Sequence, residues 1–184
     1  MKRIVARLNA LVAAGVAAAL WAMPAPAQSV EELLQELARP DLERWQRVER
    51  QIVTEWSRSG SPSMDLLLQR GRDAISDGDL EAAIEHLTAL TDHAPDFAEG
   101  YYARATAYFQ AGEHGPAMAD LAQVLTANPH HFGALSGLGA ILEETGREAQ
   151  ALEAYRAAQA IHPHQPGIRR AVERLEARVT GRDA

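Results

Sequence analysis

Histidine is the side chain in this sequence best suited to chemistry, and four of the seven flank two prolines: His130 and His131 after Pro129, His162 and His164 about Pro163. Imidazole nitrogens ligate divalent transition metals, and two neighbouring turns with two imidazoles each would have the raw material for a site. These turns contain no carboxylate to complete or orient a ligand set. The four residues are therefore a weak metal candidate, expected to be exposed turn histidines without a metal. His86, His93 and His114 are expected at the surface. The chain has no cysteine, so thiolate ligands, a thiol nucleophile and disulfides are all excluded. Ser136 lies in Gly133-Ala134-Leu135-Ser136-Gly137, which does not give the serine its two flanking glycines at nucleophile-elbow spacing. Gly133, Gly137 and Gly139 match no dinucleotide loop, and they fall inside a helical pattern rather than after a strand. Glu143 and Glu144 are adjacent, and adjacent helical residues point about 100° apart, too divergent for a paired acid and base. No catalytic residue and no cofactor is expected.

The elements that would position these side chains are helical. Of the 184 residues, 47% are apolar but only 5% aromatic, with alanine prominent and 13 Gly and 9 Pro as punctuation. That composition disfavours a β-sandwich or barrel and fits one all-α domain. The formal charge of −7 argues against nucleic acid as a partner, because phosphate binding requires a basic face.

Lys2, Arg3 and Arg7 precede an uncharged run from Leu8 to Met23, and Ala25-Pro26-Ala27 follows before Gln28. This is the layout of a secretory signal peptide over 1–27, with cleavage expected after Ala27. The run is too short and too rich in alanine for a comfortable membrane span, which needs about 20 strongly apolar residues. Its removal leaves 15 basic against 25 acidic residues, a net of −10. The mature protein is expected to be periplasmic or secreted, with no stable membrane span after cleavage.

A period of 34 runs through the rest. Pro95, Pro129 and Pro163 follow it, as do Gly78, Gly112 and Gly146, and Ala83, Ala117 and Ala151. Gly71, Ala105 and Gly139 keep the step with small residues, and Leu87, Leu121 and Tyr155 keep it with large ones. In the third copy Leu135, Leu138 and Leu142 share one helical face, Gly146 ends that helix, and Ala151, Tyr155 and Ala158 form the facing stripe of a second, which Pro163 stops. The small residues permit close approach of the two helices. Each hairpin leaves an apolar face that it cannot bury alone, so successive hairpins must stack into a solenoid. Arg70 and Arg104 occupy the places where Leu138 packs. Snorkelling between helices is the preferred expectation for both, ahead of pairing with Asp73, Glu99 or Asp120.

Spacing, small residues, glycines and terminal prolines together resemble the tetratricopeptide repeat (TPR) family over 64–165, and the layout resembles small exported TPR proteins of Gram-negative bacteria. The resemblance implies a right-handed α-solenoid of three TPR helix hairpins at 64–97, 98–131 and 132–165. It also implies a non-enzymatic interaction scaffold, whose partner would be another envelope protein or a peptide segment. In this family the first helix of each hairpin lines the concave side. That places Leu68, Arg72 and Ile75 in the groove from the first repeat, Glu99, Tyr102, Thr106 and Phe109 from the second, and Ser136 and Ala140 from the third. Asp65 of the first repeat and Gly133 and Glu143 of the third are expected in the groove with them. Tyr102 and Phe109 form the expected aromatic strip, with Glu99 or Glu143 available to a basic residue of the partner. A clamp for a partner's terminal carboxylate has only Arg72 to use and is rejected. Two other readings remain: a periplasmic metal- or ligand-binding protein using the turn histidines, and a noncatalytic subunit docking by its convex face.

The flanks are read as caps. At 28–63, Ser29 and Glu32 form a capping box for a short helix, and Asp41 caps a second helix carrying Leu42, Trp45, Val48, Ile52, Val53 and Trp56. This is a divergent N-terminal helical cap, and the protein's own terminal helices are candidates to fill part of the groove. At 166–184, Ile168, Val172, Leu175 and Val179 make the buried face of a C-terminal capping helix.

Overall fold

The computed structural model describes residues 28–182, so the segment read as an export signal lies outside the described residues. Among the described residues the chain is entirely helical: α1 Val30–Leu37, α2 Trp45–Trp56, α3 Pro62–Asp77, α4 Leu80–His93, α5 Ala98–Gln110, α6 His114–Ala127, α7 Phe132–Glu144, α8 Glu148–Ile161 and α9 Pro166–Arg182. Helices α3/α4, α5/α6 and α7/α8 are the three hairpins, each packed on the next.

The repeated small residues do what close packing requires. A β-carbon on Gly71 would come within 2.4 Å of the Leu87 side chain, and one on Gly139 within 2.9 Å of the Tyr155 ring. The first and third hairpins therefore close by setting a large side chain of the second helix against bare backbone of the first, and the second hairpin does so with Ala105 beside Leu121. The turns between the two helices are equally constrained. Gly78, Gly112 and Gly146 have φ of 78°, 77° and 75°, a left-handed conformation that glycine adopts without a steric penalty. In each case the next residue's N–H reaches back to a carbonyl of the preceding helix, as Glu113 does to Tyr108 at 2.8 Å.

Two substitutions test this register. Ala117 is fully buried, in a core with Ala105 and Leu121. Ala117→Leu should overpack that core and Gly112→Val should force a β-branched residue into the left-handed region, each lowering stability by about 1–2 kcal/mol. Unchanged urea midpoints in both variants would mean the register is misplaced.

Helix α9 covers the last hairpin, with Ile168, Ala171, Val172 and Leu175 buried against Leu152, Tyr155 and Ala158 and Val179 packed at the edge. The N-terminal pair behaves differently. Ser29 and Glu32 form the expected capping box. Helix α2, however, starts at Trp45, with no side-chain cap, rather than after Asp41. Leu33, Leu37, Val48 and Ile52 then form one cluster with Phe132, joined by Ile161. The apolar stripe of α1 and α2 is thus buried against the third repeat, not in the core that α3 forms with α4 and α5.

Two further expectations are corrected in this packing. Arg104 does not snorkel: it makes a two-pronged pair with Asp120 at 2.7 and 2.8 Å, and donates to Thr91 at 2.8 Å and Thr88 at 3.2 Å. Its guanidinium also sits 5.5 Å from the Tyr101 ring centre. The pair stitches α4, α5 and α6 together, and the bonds to Asp120 hold the Arg104 pKa above its ordinary value. Arg70, by contrast, is exposed.

Candidate functional site

The concave side holds a cavity of about 540 Å³. Its floor is made of Ala105, Ser136, Gly137 and Ala140, residues too small to fill the space between α5 and α7. Tyr102, Thr106 and Phe109 of α5 form one wall, and Glu49, Val53 and Trp56 of α2 form another. Gln165 and Ile168 close the end nearest α9. Of the residues expected in the groove, Arg72, Glu99, Tyr102, Thr106, Phe109, Ser136 and Ala140 line this cavity, as does Gly133.

Leu68 and Ile75 are not brought to it. Leu68 is 2% exposed and packs with Leu87, Leu90 and Ala103, with Ile75 against the same cluster. The inward positions of α3 are consumed by contact with α4 and with the next repeat, so the first repeat gives the cavity only Arg72. Asp65 is turned to the loop before α3, accepting from the Ser59 hydroxyl at 2.6 Å.

The charged residues of the groove are satisfied within the chain. Glu99 is 3% exposed; one carboxylate oxygen takes Arg72, the other lies 3.2 Å from His131 Nε2. His131 Nδ1 accepts the Ala134 N–H at 3.0 Å, as cap of α7, so its proton sits on Nε2 and is donated to Glu99. Arg72 also donates to the Ser57 hydroxyl at 3.1 Å, tying α3 to the end of α2. Glu143 is taken by Arg174 at 2.8 Å and Arg178 at 3.3 Å. The expectation that Glu99 or Glu143 waits for a basic residue of a partner is therefore corrected, and Arg72 is not free to grip a carboxylate.

The turn histidines are likewise not the exposed set expected. His131 is 2% and His162 0% exposed. Trp56 stacks on His131 with ring centres 4.5 Å apart, and Tyr102 meets the same imidazole, tilted, also at 4.5 Å. At the far end of α2, Trp45 lies edge-on to His162 at 5.2 Å and stacks on His164 at 6.1 Å. His164 Nε2 donates to the Arg39 carbonyl at 2.8 Å. His130 alone of the four is exposed. Among the described residues no group of three or more His, Asp or Glu side chains is arranged to hold a metal. These histidines are the seats on which α2 rests. Sequence reasoning missed Trp45 and Trp56 as partners of the histidines, although two tryptophans eleven residues apart fall on one helical stripe.

Tyr102 has a structural part as well. It packs so closely on the start of α7 that a β-carbon on Gly133 would fall 2.7 Å from its hydroxyl oxygen, and burial raises its pKa. Phe109 and Thr106, both half-buried, complete the strip. The cavity is apolar along Val53, Phe109, Ala140 and Ile141, with Arg72, Glu99 and His131 grouped together and Glu49 and Gln165 among its other polar lining residues. No described helix is long and apolar enough to cross a membrane.

Comparison with known proteins gives concordant matches. The sequence model of the tetratricopeptide repeat matches residues 68–123 and 117–166. A TPR repeat-containing protein of Rhizobium etli is 33% identical over 161 residues, covering 87% of this chain and 79% of that protein. Among solved structures, the Sgt2 TPR domain from Aspergillus fumigatus superposes with a TM-score of 0.63 at 23% identity, over 67% of this chain and 83% of that one. The first TPR of Spaghetti (RPAP3), bound to an HSP90 peptide, superposes with a TM-score of 0.62 at 20% identity, over 65% of this chain and 95% of that one. Likeness at this level of identity speaks to the fold.

Proposed function

The chain belongs to the tetratricopeptide repeat family, and from that premise we propose that it is a non-enzymatic adaptor of the periplasm that holds a peptide segment of another envelope protein in the cavity between α2, α5 and α7. The observation that carries this reading is the cavity itself. About 540 Å³ is room for a few side chains, and its floor of small residues is overlooked by Phe109 and Val53. A solenoid that needed only stability would fill that space. The RPAP3 domain named above holds a peptide of HSP90, which supports peptide binding as the mode for this fold. The segment taken here is largely apolar, because Arg72 and Glu99 at the cavity are already paired with each other and the floor carries no charge. Placement in the periplasm is supported by the signal-peptide layout of residues 1–27.

The test is capture of envelope proteins by the mature chain, followed by affinity measurement on the captured segment. Phe109→Ala should weaken binding about thirtyfold, the effect of removing an aromatic anchor worth about 2 kcal/mol. Ala140→Phe, which fills the cavity from its floor, should abolish binding, and Glu153→Ala on the exposed side of α8 should leave it unchanged. A partner that ignores both cavity variants binds elsewhere, and the convex face becomes the site.

A further inference from the structure

Helix α2 lies across the starts of α5, α7 and α9. At its end, Ser57 accepts from Arg72, which holds Glu99 at the start of α5, and Trp56 lies on His131 and Phe132 at the start of α7. At its beginning, Trp45 meets His162 and His164 in the turn before α9. The cavity continues from there between α5 and α7, from Tyr102 to Phe109 on the one and from Gly133 to Ala140 on the other. Each of these steps is seven residues, so the space is a slot about 10 Å long. α2 closes its lower end, and Phe109 and Ala140, both half-buried, mark its mouth. An extended strand running the length of the slot would have to leave through Trp56 and the Arg72 bridge, which are held by α7 and α5. A segment that enters must come back out through the same mouth.

The blind end also selects what arrives there. Arg72 and Glu99 neutralise each other, and both His131 nitrogens are engaged, one with Glu99 and one with the Ala134 N–H. Glu49 stands to one side, toward His162. Among the described residues the hydroxyls of Tyr102 and Ser136, two residues that line the slot, have no hydrogen-bond partner. Trp56, Tyr102 and Phe109 give the slot aromatic sides. We propose that the partner enters as the tip of a turn carrying a tyrosine, inserted hydroxyl-first, so that its ring lies along the aromatic sides and its phenol meets the hydroxyls of Tyr102 and Ser136. A charged tip would be desolvated there with Arg72 and Glu99 already committed to each other, and a phenylalanine tip would leave both hydroxyls unpaired. This mode of entry rests on the peptide reading above and adds to it the shape of the segment and its anchor.

The probe is a short fluorescein-labelled peptide closed by a disulfide between its terminal cysteines, with tyrosine at the tip among glycine, serine and asparagine, titrated with the chain by anisotropy. The chain has no cysteine to exchange with that disulfide. The closed peptide should bind about tenfold more tightly than the same peptide reduced and alkylated, because closure holds the turn that the slot requires. A phenylalanine tip should bind about fivefold more weakly than the tyrosine tip. The double variant Tyr102→Phe with Ser136→Ala keeps the ring packed on Gly133, and in it the two tips should bind equally. Ala140→Phe should abolish binding of every closed peptide. An open peptide that binds as tightly as the closed one overturns the proposal, as does a lysine or glutamate tip equal to tyrosine, a tyrosine preference that survives the double variant, or no binding of any closed peptide. Saturable binding of 1-N-phenylnaphthylamine without binding of any peptide would assign the slot to a free apolar molecule and overturn it too. The cavity reading fails separately, on a captured partner indifferent to Phe109→Ala and Ala140→Phe.

Discussion

Asp120→Ala is expected to be the most damaging single substitution, lowering stability by about 3 kcal/mol. It leaves the Arg104 guanidinium, 15% exposed, between three helices with two threonine hydroxyls and no counter-ion. Breaking one side of a buried pair costs more than the pair contributes, because the remaining charge must be desolvated alone. The third repeat supplies the rescue. One period on, Arg104 corresponds to Leu138 and Asp120 to Ala154, and both of those are accommodated in an apolar core. The double variant Arg104→Leu with Asp120→Ala should therefore recover most of the loss. Urea denaturation of the three proteins checks this. A double variant no more stable than Asp120→Ala would show that the pair is not exchangeable for the third repeat's solution.

Acid is expected to act through the seat of α2. Burial, with the neighbouring His164 adding to it, pushes the His162 pKa down from 6.5 to about 4. A histidine held neutral in the fold but protonated in the unfolded chain costs stability as pH falls. The loss begins near the unfolded pKa and ends near the folded one, so the window is about pH 6.5 to 4. It amounts to about 2 kcal/mol at pH 5 and approaches about 3 kcal/mol at pH 4. Glu49 works in the opposite sense. Burial raises its pKa, so the folded state takes up that proton more readily and regains some stability at the acidic end of the window. The net expectation is a fall in urea midpoint between pH 7.5 and 5 that His162→Phe abolishes. Trp45 emission should report the same transition, since its ring lies on His162 and His164. A wild-type midpoint that is flat across this range would mean that the ring is hydrated in solution.

The hairpins were legible because their packing is local and repeated. Gly71 against Leu87, and Gly139 against Tyr155, are contacts between positions sixteen residues apart, and a helix, a tight turn and a second helix allow only one way for them to meet. Three copies of the same requirement make the signal stand out from composition. The left-handed glycines follow from the same logic, since each hairpin needs the same turn.

The Arg104–Asp120 pair lay halfway. Both positions become apolar or small in the third repeat, and a matched change of that kind is the signature of two residues that touch. Weighing Arg104 by itself led to snorkelling; weighing the two positions together leads to the pair.

What the sequence by itself determined is therefore the content of each repeat, the order of the repeats and the small and large residues through which each hairpin closes. Tertiary structure decided where the non-repeating helices go and what that makes of the histidines. Trp56 on His131 and Trp45 on His162 join segments with no shared period, and nothing in either segment's own pattern names the other. Burial of His131 and His162 depends on α2 arriving from outside the repeats, whereas the capture of Glu99 by Arg72 and the withdrawal of Leu68 and Ile75 into the core depend on how neighbouring repeats dock. The physical reason is that hydrophobic burial is non-directional: an amphipathic helix declares that it must cover something, and the shape of the whole molecule selects what.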